Sequence, residues 1–131
     1  MSFILDTDIC SAYVRGDRRV LSRFEQYWGS LHVSSITVGE LGVWANRTAT
    51  ESRIAIGIGK LLTEITAIPF GTDEANAYGR TRAALLDRGI VVPATDLLIA
   101  VTAQLRNFTL VTHNRKHFGL VPGLRIQDWT E

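Results

Sequence analysis

Short apolar runs that stop abruptly at polar residues constrain this chain more than any other feature. Phe3-Ile4-Leu5 is unbroken and ends at Asp6. Thr109-Leu110-Val111-Thr112 is followed at once by His113 and Asn114. Runs this short read as buried strands. Leu31-His32-Val33-Ser34, Ile65 to Phe70 and Gly123 to Trp129 are further strand candidates, and Ile90 to Val92 is extended because Pro93 disfavours helix before it.

Helical stretches fill the gaps. Asp6 or Thr7 is placed to cap a helix reaching about Val14, and a second covers Arg18 to Tyr27. Ser35 is a natural cap for a third, Ile36 to about Asn46. Val38, Leu41, Gly42 and Ala45 share one of its faces, and Glu40 points away from that face beside Val43 and Trp44. Ser52 to Leu62 is helical in pattern despite Gly57 and Gly59. Asp73 to Arg88 opens on acids, closes on arginine and has Gly89 to terminate it. Thr95 is placed to cap a last helix, Asp96 to about Arg106. Strands alternating with helices predict an α/β sandwich with a mainly parallel sheet, one domain over residues 1–131. In such sheets ligands bind beyond the carboxyl ends of the strands, where Asp6, His113 and Asn114 fall.

Bulk properties exclude several classes. Net charge is +1, so any affinity for nucleic acid must come from a local basic surface. Lys60 and Lys116 are the only lysines among 14 basic residues, and arginine's planar fork suits phosphate or carboxylate. Cys10 is the single cysteine, which excludes an intramolecular disulfide and a cysteine-built zinc site and fits a reducing cytoplasm. The start of the chain does not read as a signal peptide, and no apolar run is long enough for a membrane span.

The candidate chemistry lies in acids with unusual neighbours. Asp6 ends an apolar run, Glu40 sits within Val38–Ala45, and Asp96 precedes the apolar stretch Leu97–Ala103. Singly, Asp6 and Asp96 also fit helix capping, Glu40 a surface charge, and Asp8 an ordinary first-turn acid. Together they make a different case. Like charges about 4 Å apart repel by about 4 kcal/mol at an effective dielectric near 20, so a cluster needs protons, arginines or a cation. A hard divalent ion with oxygen ligands meets that need and activates water on a phosphodiester. No protein nucleophile stands out.

Five segments, in order, resemble a known family. They are Phe3–Asp8, Ser34–Leu41, Pro93–Ala100, Leu110–Phe118 and Val121–Trp129. In these the chain is similar to PIN-domain ribonucleases, specifically the VapC-type toxins of type II toxin–antitoxin pairs. The resemblance implies a PIN-like three-layer sandwich and Mg²⁺- or Mn²⁺-dependent endonucleolytic cleavage of RNA, with transfer RNA the leading substrate. It implies Asp6, Glu40 and Asp96 as catalytic, metal-binding carboxylates. It also implies a cognate VapB-like antitoxin and a homodimer.

Many members of that family carry an acid where Asn114 or His117 stands, and here neither is acidic. Asn114 is therefore the candidate fourth metal contact, through its amide oxygen. Thr7, Asp8 and Thr112 are placed to orient carboxylates or water. Arg115, Lys116 and His117 supply positive charge for RNA phosphate, or simply form a solvated basic turn. Trp28, Trp44 and Trp129 read as packing residues. Two alternatives remain at this level: a haloacid-dehalogenase-like phosphatase with Asp6 as nucleophile, and a non-catalytic PIN-like module that binds RNA or a partner.

Overall fold

A computed structural model describes residues 1–131. Its elements in chain order are β1 (Phe3–Leu5), α1 (Thr7–Val14), α2 (Arg18–Tyr27), a 3-10 turn (Trp28–Ser30) and β2 (Leu31–Ser34). Then come α3 (Ser35–Asn46), α4 (Ser52–Glu64), β3 (Thr66–Ile68) and α5 (Thr72–Asp87). The chain closes with α6 (Ala94–Arg106), β4 (Thr109–Val111), α7 (Arg115–Phe118) and β5 (Ile126–Gln127).

The five strands form one sheet in the order β3-β2-β1-β4-β5, and every pairing is parallel. β1 is central. Phe3 lies opposite Leu31 on one side and Thr109 on the other. The chain builds outward from β1 through β2 to β3, then crosses back to add β4 and β5 on β1's free edge. The strand order therefore reverses between β1 and β4, and a ligand crevice is expected beyond their carboxyl ends.

Side chains on β1 alternate between two cores. Phe3 and Leu5 join Ile9, Phe24, Leu41, Ile58 and Trp129 on one face. Ile4 joins Leu85, Leu97, Val101, Leu110 and Phe118 on the other. All three β1 residues are fully buried, because α1, α2, α3 and α4 cover one face and α5, α6 and α7 the other. That is the three-layer α/β sandwich expected from the unbroken apolar run.

Several boundaries differ from the sequence expectation. Ser34, not Ser35, caps α3: its extended backbone ends β2, and its hydroxyl accepts from Ile36 N–H at 3.1 Å. Ser35 instead accepts from Phe70 N–H at 3.0 Å, tying α3 to the segment after β3. The last long helix starts at Ala94 with Pro93 at its cap position, so Thr95 lies inside the first turn. α5 starts at Thr72, where Glu74 reaches back to Gly71 N–H at 2.7 Å. Its exit uses Gly89 at φ +71°, a left-handed conformation that glycine adopts without strain.

Ile90–Val92 forms no strand; Val92 is buried, and its carbonyl accepts from Arg82 at 2.6 Å. The terminal strand shrinks to Ile126–Gln127. Gly57 and Gly59 do not break α4, because Ile54, Ile58 and Leu61 bury its inner face. The basic turn after β4 closes into the one-turn helix α7. Trp129 is a packing residue, edge-on to Phe3 at 5.1 Å and stacked on Tyr27 at 5.7 Å. Trp44 packs against the first core beneath Arg15, but Trp28 is 41% exposed and is no core residue.

Candidate active site

The carboxyl ends of β1 and β4 build the centre of the site. Asp6 N–H donates to Val111 O at 2.9 Å, which continues the β1–β4 pairing by one step. Asp6 then turns the chain into α1 as its N-cap, with Oδ1 accepting from Thr7 N–H at 2.8 Å. Its other oxygen, Oδ2, accepts from the Thr112 hydroxyl at 2.8 Å. Thr112 is fully buried and also accepts from Asn114 N–H at 3.0 Å. Helix capping and site building are thus one arrangement at Asp6, not competing readings.

Asp8 belongs to the same group. Its Oδ2 accepts from His113 N–H at 3.1 Å, while its buried Oδ1 has no hydrogen-bond partner. Glu40 reaches in from α3 and accepts from the Thr7 hydroxyl. Asp96, in the first turn of α6, has Oδ2 2.7 Å from His117 Nδ1. The structure therefore brings Asp6, Thr7, Asp8, Glu40, Asp96 and Thr112 to one end of the sheet. As the side chains stand, no three His, Cys, Asp or Glu side chains meet closely enough to grip a metal ion. Thr7 holds Glu40 and His117 holds Asp96.

The electrostatics show strain that hydrogen bonds only partly relieve. Burial pushes the Asp6 carboxyl up to about 7, Asp8 and Asp96 push the same way, and the bonds from Thr112 and Thr7 oppose them. Burial also raises Asp8, against the pull of His113 N–H. Asp6 and Asp8 are desolvated, and Asp6 is repelled by both Asp8 and Asp96, a pattern that clusters at functional sites.

The fold and the sequence meet their counterparts in known proteins. The PIN domain family model matches residues 3–123. The chain belongs to the PIN domain family. Among its relatives are Ribonuclease VapC2 of Haemophilus influenzae, 32% identical, and the tRNA(fMet)-specific endonuclease VapC of Shigella flexneri, 31% identical. The matches cover 98% of both chains in the first case and 99% in the second. Two solved assemblies resemble the fold: DNA-bound VapBC of Salmonella typhimurium and promoter-bound VapBC2 of Rickettsia felis. Their TM-scores are 0.91 and 0.89 at 29% and 27% identity, over 98% of this chain and 98% and 99% of theirs. This PIN domain is of the VapC type, and the family match replaces the dehalogenase-like alternative.

Within the PIN domain two expectations change. Asn114 does not turn toward the acids: both ends of its amide engage His117, with Oδ1 3.4 Å from the backbone N–H and Nδ2 2.8 Å from ring Nδ1. His117 faces Asp96, leaving Arg115 and Lys116 as the exposed cations of α7, neither with an acidic partner.

Two features went unseen in the sequence. Arg23 on α2 lines a groove of about 280 Å³ with Arg115, Tyr27, Gln127 and Asp128. It carries no local signal, being one charge on a polar helix face. His113 lies 2.9 Å from the nearly buried carboxylate of Asp128, which raises the imidazole's proton affinity. The largest cavity, about 560 Å³, lies elsewhere, lined by Tyr13, Leu21, Phe24, Glu25, Trp28 and Glu64. It contains none of the acids above, so the chemistry is assigned by the acids and not by cavity size. No helix is long and apolar enough to cross a membrane.

Proposed function

We propose that this PIN domain is a metal-dependent endoribonuclease and acts as the toxin of a type II toxin–antitoxin pair. The observation that carries the chemistry is Asp6: a buried carboxylate held beside Asp8 and within the field of Asp96. The donor set is all oxygen, and Asp8 Oδ1 is buried without a partner. Such a set fits a hard divalent cation, Mg²⁺ or Mn²⁺. Asp6, Glu40 and Asp96 are the residues that would hold it. When bound, the ion supplies Lewis-acid stabilisation of a phosphodiester and a more acidic water.

The chain's own residues prepare that chemistry. Thr112 and Thr7 N–H fix both oxygens of Asp6. The Thr7 side chain holds Glu40 toward the same end of the sheet. Arg115 and Lys116, one turn beyond β4, offer charge to the RNA backbone. The substrate class is RNA, with transfer RNA favoured because two relatives bear the name tRNA(fMet)-specific endonuclease. The partner is a VapB-like antitoxin, since relatives of this fold were solved as VapBC assemblies. A homodimer and a cytoplasmic site of action complete the reading.

The test is cleavage of a transfer RNA panel with Mg²⁺, with Mn²⁺ and with chelator. Cleavage that needs the ion and vanishes in folded Asp6→Asn, Glu40→Gln and Asp96→Asn supports the proposal. Undiminished cleavage by Asp96→Asn removes Asp96 from the centre. A folded wild type that binds RNA but never cuts it supports the binding-module alternative instead.

A further inference from the structure

His117 is half-exposed, and its ring turns to the acidic centre. Its Nδ1 lies 2.7 Å from Asp96 Oδ2, and the two side chains are 39% and 19% exposed. Two lone pairs do not approach so closely, so a proton lies between them, and a proton on Nδ1 makes this a short charge-assisted bond. The Asn114 amide lies 2.8 Å from the same nitrogen. Half a turn of that amide presents its oxygen to the ring, giving up the 3.4 Å contact to His117 N–H, and Nδ1–H then serves both neighbours.

Both ends of the contact are fixed by the fold. Asp96 rides on α6, whose Leu97, Ile99, Ala100 and Val101 are buried. His117 rides on α7, anchored by fully buried Phe118 in the same core. No protein donor reaches the second oxygen, Asp96 Oδ1. We propose that His117 is a positioning residue for Asp96: its Nδ1–H pins Oδ2 and leaves Oδ1 as the oxygen free for a divalent cation. This rests on the metal-centre reading above. Partners of this kind orient ligating carboxylates and are worth about 10- to 100-fold in metal affinity.

The test is Mn²⁺ titration of the metal-free protein followed by electron paramagnetic resonance, with thermal melts in chelator alongside. Wild type, His117→Ala, His117→Asn and Asp6→Asn are compared. His117→Ala is expected to bind Mn²⁺ about 10- to 100-fold more weakly while its metal-free melt stays cooperative. His117→Asn, which places an amide N–H near the Nδ1 position, is expected to recover most of that loss. Wild-type affinity in His117→Ala overturns the proposal. Equal losses in the Ala and Asn variants also overturn it, since the imidazole is then needed as a ligand in its own right. Asp6→Asn separates the two readings: if it binds Mn²⁺ as wild type does, the metal centre fails, not the role of His117 within it.

Discussion

The Thr112 hydroxyl donates to Asp6 Oδ2 at 2.8 Å and so joins the ends of two adjacent parallel strands through a buried bond. Thr112→Val keeps the shape and removes the donor. At pH 8 it leaves an ionised, buried Asp6 with one bond fewer, and it also deprives Asn114 N–H of its acceptor. The expected cost is about 1–3 kcal/mol, read from urea denaturation of the metal-free protein. Thr112→Ser keeps the hydroxyl and is expected to lose much less. Equal stability of the Val variant and wild type would mean that this bond does not hold Asp6.

Asp6 itself works against the stability of the metal-free fold. Its carboxyl ordinarily titrates near 3.8 and is raised to about 7 in the folded protein. Between those values the folded state binds more protons than the unfolded one, so stability is full below the lower value and falls as pH rises through the upper. Melts in chelator are therefore expected to drop between pH 4 and pH 7. Asp6→Asn is expected to flatten that drop, melt higher than wild type at pH 8 and lose cleavage. A variant less stable than wild type at pH 8 would show that the carboxylate is not a burden on the fold.

The same residue shows how far the sequence could be read. Asp6 was legible because an unbroken apolar triplet makes a buried central strand, and the residue that ends it must lie at the sheet's edge. Glu40 and Asp96 were legible as acids set in apolar helices. What was not legible is which group each side chain touches. Asp8 reads both as an ordinary first-turn acid and as a residue that orients the site, and only the fold shows its Oδ1 buried and unpartnered. His117 reads as a phosphate contact or as part of a solvated basic turn because its neighbours in sequence are basic, but the one-turn helix α7 turns it onto Asp96, 21 residues earlier in the chain. Helix caps slipped by one residue at the adjacent serines Ser34 and Ser35 and by two at Pro93 and Thr95, choices that only backbone geometry decides.

The tryptophans give a test of the packing that is independent of the chemistry. Trp129 is 2% exposed and contacts Phe3, Phe24 and Tyr27, so it fastens the chain's last residues over the first strand. Trp129→Ala is expected to cost about 3–5 kcal/mol by transfer and cavity terms. Trp28→Ala, at a residue 41% exposed, is expected to cost well under half as much. Chemical denaturation of both variants checks the ratio, and similar losses would place Trp28 in the core after all.

Arg23 and Arg115 come from α2 and α7, meet along one groove, and neither has an acidic partner. Two unpaired guanidinium groups within one groove suit successive phosphates of a single strand better than they suit a protein carboxylate. In the inactive Asp6→Asn background, Arg23→Ala and Arg115→Ala are each expected to weaken binding to single-stranded RNA. Each is also expected to reduce the slope of log affinity against log salt by about 0.7, the value for one lost phosphate contact. The double variant is expected to lose about twice that slope, because the two contacts release separate counterions. Fluorescence anisotropy over a range of salt concentrations measures both quantities. A weakened affinity with an unchanged slope would mean that these arginines shape the groove without touching the backbone of the RNA.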